Sequence, residues 1–568
     1  MADTSLLSRR LKSFFDPQGS PTLLSLPDSF VVTACAAIVV HLIFKRWEPM
    51  KLPIVAFLLF LVPACLSLLF ASHLSLTKGL ATALATFYTV LVSSIVIYRI
   101  SPFHPLARYP GPLAAKITKW WHAYHVHTGK QHLYVRHLHD QYGDIVRIGP
   151  NDVSIRDASC ISSGLGSQGL PKGPMWDGRF MYSPIPAMVG ARDHAYHMQR
   201  RRPWNRAFSA TALKEYEPLI YGRVHQLVSA LADRQGQVVD IAKWIGYFTY
   251  DFMGDMVYGG WTEMLRDGKD EDGLWDVVHR GLDVSAVYGE VPWVSYYASM
   301  LPNLGKDLKR MRKMAFDRAK QRYDSGSKAR DLFYYLSNED GAEKVTPPRP
   351  IVVSDGVLAL IAGSDTTAIV TATILYSLLC NPTTYHRLQQ EVDKFYPRGE
   401  DPLKTKHYKD MHYLEATINE GLRLFPATPS GTQRAPAPGK GDRLIGKYYI
   451  PEGTATKFHF WSIQRDPRNF SHPDTFWPER WLVAEGLEHA DEPLTHNANA
   501  FVPFSLGPYN CVGKNVAMQE MRMLLCHLMH TLDLRFPEGY VPRAFEDALE
   551  DQFGFKVGEL PVIVQRRE

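Results

Sequence analysis

Cysteine is scarce in this chain: six among 568 residues, at positions 35, 65, 160, 380, 511 and 526. None are spaced C-x-x-C and no two form a paired set. That excludes a disulfide framework and fits a reducing compartment for the main domain. Strong charge is also missing. A net charge of +5 with no arginine-rich tail gives no footprint for nucleic acid as a partner. Neither an internal repeat nor a low-complexity tract is found, so a repeat architecture is excluded.

Aspartate, glutamate, lysine and arginine are absent from three early stretches, 29–44, 52–71 and 79–98. The second and third are long enough to cross a bilayer, and the first is marginal at 16 residues. Three such stretches joined by short polar loops argue against buried core helices. Their repetition, with no small-residue cleavage pattern after the first, argues against a signal peptide. Lys45, Arg46 and Lys51 follow the first stretch, and Arg99, Arg108, Lys116 and Lys119 follow the third. Only Lys78 lies between the second and third. The excess puts the first loop and the rest of the chain on the cytoplasmic side. Arg9, Arg10 and Lys12 act against that orientation.

What remains is rich in core material, 45% apolar and 12% aromatic. The expected organisation is a membrane region over 1–100, a hinge over 101–113 that is stiffened by four prolines, and one large domain over 114–568. That domain reads as helix-dominated α+β. A helix is expected over 120–142, a hairpin over 144–157, a functional loop over 164–190, a buried helix over 354–381 and a second hairpin over 443–453. Pro292 and Pro302 interrupt the helices between.

Four patterns carry chemistry. In the first, Phe504, Gly507, Cys511 and Gly513 precede a run of helix formers. The glycines let the backbone turn around one sulfur, and the N–H groups opening the helix favour its thiolate. A lone thiolate suits the axial ligand of a haem iron better than a zinc site, although an arbitrary cysteine is more often buried and inert. In the second, AGSDTT at 362–367 sets an acid beside a hydroxyl in a nearly uncharged helix, which is costly unless both are bonded or used. Taken alone, a threonine bonding back to a carbonyl one turn earlier is the simpler account. In the third, Glu420 and Arg423 share a helix face, and Arg480 follows in FWPERW. In the fourth, HMQRRRPWNRAFS at 197–209 sets His197 and Arg201 one turn apart.

A-G-x-D-T-T, E-x-x-R, P-E-R and F-x-x-G-x-x-x-C-x-G together, in this order, resemble the cytochromes P-450, haem-thiolate monooxygenases, from about residue 105 to the end. The resemblance implies a mainly α fold with small β-sheets, preceded by the transmembrane region. It implies haem b with Cys511 as the iron ligand in a loop shaped by Phe504, Gly507 and Gly513. Gly363 would make room over the haem, while Asp365 and Thr366 would guide protons to the oxygen being activated. Glu420, Arg423 and Arg480 would form a buried triad that locks the cysteine loop. His197, Arg201, Trp204 and Arg434 would hold the haem propionates. One departure matters: Tyr509 stands where the family usually has arginine or histidine, and a tyrosine donates one hydrogen bond but no charge. More weight therefore falls on His197, Arg201 and Arg434.

PYNCVGK and HPLARYPGP look most like fungal microsomal members. That likeness implies an endoplasmic-reticulum membrane protein with its catalytic domain on the cytoplasmic side. Electrons would come from NADPH through an NADPH–cytochrome reductase, with cytochrome b5 as an alternative donor. The basic segment 306–322, with Lys514 and Arg522, is either a solvated face or the reductase's docking surface. The implied substrate is a lipophilic small molecule, hydroxylated or epoxidised in secondary metabolism such as terpenoid biosynthesis. Its contacts would come from 176–188, 283–293, 358–362 and 427–432. Two rivals stay open here. One is a haem-thiolate isomerase or dehydratase that uses no dioxygen; such enzymes tend to lose the acid–alcohol pair, which this chain keeps. The other is a membrane receptor that binds a ligand without chemistry.

Overall fold

Proline and glycine set the limits of most elements in the computed structural model, which describes residues 24–71, 73–301, 306–326 and 329–568. Arg9, Arg10, Lys12 and Pro302 lie outside these. The described residues are about 59% helical with small sheets, and the chain divides into a unit ending at Arg108 and a second, Tyr109–Glu568.

The first unit holds three apolar helical segments, Leu26–Trp47, Leu52–Ala71 and Leu76–Ile100. The stretch that was marginal at 16 residues becomes a helix of 22, because charged residues extend it at both ends. Asp28 lies in its first turn and Lys45 and Arg46 in its last, each placed favourably for the helix dipole. The middle segment is not a plain α-helix. It widens to a π turn over Phe57–Leu61 before the α turns of Val62–Leu66. Pro63 has no N–H to give the carbonyl of Leu59 one turn back. The hydroxyl of Tyr88 donates to that carbonyl instead, at 2.6 Å. Ala37, Val40, Leu58, Phe87 and Leu91 make a small core, while Val31, Trp47, Phe60 and Ile97 stand exposed.

The second unit is built around the helix Arg349–Cys380, 32 residues long. It starts earlier than the expected residue 354 because Pro350 lies in its first turn, where the missing N–H costs nothing. By length and hydropathy it too could cross a membrane. Burial separates it: 61% of its apolar window is covered by protein, against 17–22% for the three N-terminal segments. The helices Ile241–Tyr258 and His412–Leu424 pack on it. Gly363 takes part in that packing, since a Cβ there would meet Met253 Sδ at 2.5 Å. Its smallness makes room for the neighbouring helix, which corrects the expectation of room over the haem.

A four-stranded sheet pairs Ile145–Gly149 with Asp152–Ile155 antiparallel, the hairpin expected there, then Ala455–Phe458 parallel and Gln433–Arg434 antiparallel. The second expected hairpin forms between Arg443–Ile445 and Tyr448–Ile450. The stretch expected as one helix over 120–142 is two, Lys119–His127 and Gln131–Tyr142. They break at Gly129, whose φ of +70° ends the first helix and whose missing Cβ leaves space for Glu550.

Candidate functional site

The cysteine loop is pinned by its own backbone. The amide of Cys511 donates to the carbonyl of Phe504 at 2.8 Å. Gly507 has φ +72°, and a Cβ there would come within 2.3 Å of the Leu165 carbonyl oxygen, so no other residue fits. Gly513 has an ordinary backbone and caps the helix Lys514–Thr531. A Cβ there would make only ordinary contacts, 3.7 Å from the Phe208 ring and 3.9 Å from Cys511 Sγ, so no protein atom crowds the position. Cys511 is solvent-accessible yet enclosed by protein, as a side chain on a cleft wall would be. Burial pushes its thiol up, against the pull of the Gly513 and Lys514 N–H groups and the Arg201 charge. The helix N-terminus thus acts in the expected direction without prevailing. A metal ion bound at the sulfur would displace the proton outright.

Glu420, Arg423 and Arg480 are fully buried and meet as one cluster. Arg423 grips both oxygens of Glu420 at 2.9 Å, and Arg480 Nε donates to Oε1 at 3.1 Å. The remaining guanidinium donors reach the carbonyls of Gln464, Pro473, Ser471, His472 and Thr475. Trp477 N and Trp481 Nε1 also donate to the carboxylate, at 2.9 and 3.1 Å. Burial alone would raise the Glu420 pKa, but the Arg423 and Arg480 charges hold it below the ordinary value. The cluster ties the helix His412–Leu424 to the 471–481 segment that leads toward the cysteine loop.

The expected propionate donors divide into two kinds. His197 Nε2 and Arg434 Nε and Nη1 are buried with no hydrogen-bond partner among the described residues. Arg201 and Trp204 are committed elsewhere. Arg201 donates to the carbonyl and side chain of Asn510 at 2.7 and 2.8 Å, so it clamps the cysteine loop. Trp204 Nε1 donates to Asp355 at 3.3 Å. One residue was missed in the sequence. Lys172 is buried, donates to the Met188 carbonyl, sits 3.0 Å from His197 Nδ1 and forms an isolated β-bridge with Arg434. Tyr509 lies under these cations, its ring centre 4.6 Å from Arg434 Cζ and 5.2 Å from Lys172 Nζ. Arg434 sets a cation over that ring, while burial and the neighbouring Arg434 and Arg201 charges push the Lys172 ammonium well below its ordinary pKa. Unpartnered buried donors beside a lone thiol fit a cofactor carrying two carboxylates, as haem does.

Across the domain, the helix Arg349–Cys380 opens at Ala362, Asp365 and Thr366 while Leu360, Ser364 and Thr367 are buried. The spacing puts the open residues on one face. Thr366 Oγ1 donates to the Ala362 carbonyl at 2.7 Å, the back-bond that the residue types alone had offered. Asp365 Oδ1 accepts from the Tyr250 hydroxyl at 2.8 Å and lies 3.6 Å from His279 Nε2. Its Oδ2 is buried without a partner among the described residues. Both Asp365 and Thr366 line a cavity of about 750 Å³. Its wall includes Trp176, Asp283, Leu358, Ala362 and Thr428 from the four segments expected to touch substrate. Leu308, Met311 and Phe316 join them, so the helix Lys306–Ser325, read as a basic face, gives its apolar side to the cavity. The hairpin at 550–556 also contributes, and no sequence signal had pointed to it. Of the other two docking candidates, Lys514 is exposed and Arg522 is paired with Glu415.

The family model for cytochrome P450 matches residues 110–561. This chain belongs to the cytochrome P450 family. Membership brings haem and its iron, oxidoreductase chemistry of the monooxygenase type, a redox partner and a small-molecule substrate. The P450 is 33% identical over 508 residues to cytochrome P450 monooxygenase FCK2 of Fusarium pseudograminearum, covering 88% of this chain and 89% of that one. It is 33% identical over 447 residues to cytochrome P450 monooxygenase nodW of Hypoxylon pulicicidum, covering 78% and 80%. Tryprostatin B 6-hydroxylase of Aspergillus fumigatus is 29% identical over 498 residues, covering 87% and 86%.

Proposed function

We propose that this P450 is a membrane-anchored monooxygenase that inserts one oxygen atom from dioxygen into a lipophilic small molecule of secondary metabolism, by hydroxylation or epoxidation. The observation that carries this reading is the 750 Å³ cavity, whose largely apolar wall includes the intact Asp365–Thr366 pair. When bound, haem supplies the electron transfer and dioxygen activation, with the cysteinate favouring O–O cleavage. Cys511 would be the iron's protein ligand, and His197, Arg434 and Lys172 would receive the two carboxylates. Glu420, Arg423 and Arg480 hold the loop still and do no chemistry.

Thr366 faces the cavity with its proton on the Ala362 carbonyl and its lone pairs free. It can therefore accept a hydrogen bond from a water and fix that water's position. Asp365 would pass protons inward from solvent, since its Oδ2 meets no competing donor among the described residues. The three exposed apolar segments support an anchor, because the lipid-like surface of Val31, Phe60 and Ile97 is costly in water. Their basic flanks support an endoplasmic-reticulum protein whose domain, 114–568 beyond the hinge, faces the cytoplasm. Electrons would then come from an NADPH–cytochrome reductase. The name of the tryprostatin B hydroxylase supports hydroxylation of a small fungal metabolite as the reaction type.

The test is NADPH-dependent dioxygen uptake by the reductase-reconstituted protein against a library of lipophilic metabolites, screened first by substrate-induced spectral shifts. Product containing one atom from labelled dioxygen is expected. Product formed without NADPH or dioxygen would instead indicate an isomerase or dehydratase.

A further inference from the structure

The wall of the 750 Å³ cavity is apolar except at a few points, and its charges do not balance. Among the described residues it carries four cationic side chains, Arg179, Arg312, Lys313 and Lys556, and two anionic ones, Asp283 and Asp365. Most have an evident partner or lie open to water. Lys556 reaches Asp283 at 3.4 Å, Arg312 donates to the Phe180 carbonyl at 3.1 Å, and Lys313 is exposed beside Asp317. Asp365 accepts from Tyr250.

Arg179 is different. It ends the short helix Met175–Arg179 and is only 7% exposed. Among the described residues, no hydrogen bond or ion pair reaches its guanidinium. The two carboxylates that influence it electrostatically, Glu290 and Asp551, are engaged elsewhere. Glu290 is paired with Lys457, and Asp551 accepts from Ser430 and from the Phe553 amide. Burial lowers the Arg179 pKa to about 10, which still leaves it charged at neutral pH. Glu290 and Asp551 together offset the charges of Lys457 and Arg179 without either touching the guanidinium, so what Arg179 brings to the cavity wall is a set of N–H donors with no protein acceptor among the described residues, and these are free for a ligand.

Its surroundings hold the guanidinium in place. Its Cζ lies 4.4 Å from the Phe553 ring centre. Phe553 has φ +88°, a backbone strained for a bulky residue, and its ring is wedged edge-on against Trp176 at 5.4 Å. Phe553 and Trp176 line the same cavity. Gly289 leaves room for the arginine stem, because a Cβ there would come within 3.1 Å of Arg179 Cγ. Stacking on a ring uses the face of the guanidinium and leaves its N–H edge free. That planar edge matches the two oxygens of a carboxylate.

We infer that the substrate is an apolar molecule bearing a carboxylate, and that Arg179 receives this group on the cavity wall while Asp365 and Thr366 face the carbon to be oxidised. This rests on the monooxygenase reading for the word substrate, but the binding claim can be tested without turnover. Arg179 is then a specificity-determining residue. Holding one end of the molecule limits which carbons reach the reactive face.

The experiment uses the haem-loaded, detergent-solubilised full chain and equilibrium dialysis with two matched probes, abietate and methyl abietate. The wild type should bind the acid more tightly than the ester, by about tenfold or more, as a charge-assisted bidentate contact allows. Arg179→Met should abolish that preference while leaving ester affinity within about twofold, which also shows that the cavity is intact. Arg179→Lys, with the charge but not the fork, should fall between. Equal binding of acid and ester by the wild type, a preference that survives Arg179→Met, or no binding of either probe would each overturn the inference. Dialysis needs neither electrons nor dioxygen. An intact acid preference with no oxygenated product would therefore refute the monooxygenase reading alone.

Discussion

The cysteine loop with its support and the cavity wall at Asp365 are built on opposite terms. Around Glu420, Arg423 and Arg480 nearly every donor and acceptor is spent and nothing is exposed. Asp365 and Thr366 are part-open, and among the described residues an oxygen of Asp365 lacks a partner and no acceptor reaches the buried Arg179 guanidinium. A saturated network resists movement and specifies one geometry, whereas an unsaturated one waits for something to complete it. The first kind suits a part every member of a family needs. The second suits a surface that is completed only when water, dioxygen and substrate arrive.

Removal of the sulfur should have the largest effect. Cys511→Ala should lose all oxygenase activity, checked by product formation in the reconstituted system, and should alter haem ligation. Next comes the support. Glu420→Ala strands two buried guanidinium groups, and about 3–5 kcal/mol of stability should be lost, read as a lower urea midpoint. The pH dependence follows from the same group. Its folded pKa is depressed, so its contribution is complete above the ordinary glutamate range and disappears as pH falls through the lower folded value. The acid limb of the stability curve should flatten in Glu420→Gln.

On the open side the same kind of change should be mild for folding and sharp for chemistry. Thr366→Ala should keep its haem and its melting point while most NADPH electrons go to peroxide; full coupling in that variant would remove Thr366 from the proton path. Smallest of all, Tyr250→Phe deletes one hydrogen bond to Asp365, worth about 1 kcal/mol. A modest fall in coupling is expected, measured as product per NADPH, with stability nearly unchanged. A loss of stability as large as that of Glu420→Ala would break the contrast between the two sides.

The same contrast explains what could be read in advance. Cys511 with its glycines, and Glu420 with Arg423, are local patterns whose spacing survives in one dimension. Lys172 beside Arg434, Tyr250 beside Asp365 and Arg179 on Phe553 join segments far apart in the chain, and no periodicity marks them. Gly363 shows a subtler limit: the motif names the residue but not its face, and the space it leaves goes to Met253. At the N-terminus, the apolar stretches were legible from missing charge, but the π turn was not. It follows from the pairing of Pro63's missing donor with Tyr88, contributed by another helix.

The central claim is that Cys511 binds haem iron as a thiolate in an enzyme that activates dioxygen. The most direct measurement is the carbon monoxide difference spectrum of the reduced, detergent-solubilised full chain. The account predicts the long-wavelength band of a thiolate-ligated haem in the wild type and its loss in Cys511→Ala. Folded wild-type protein that binds haem without that band, or a Cys511→Ala variant that keeps it, would contradict the account.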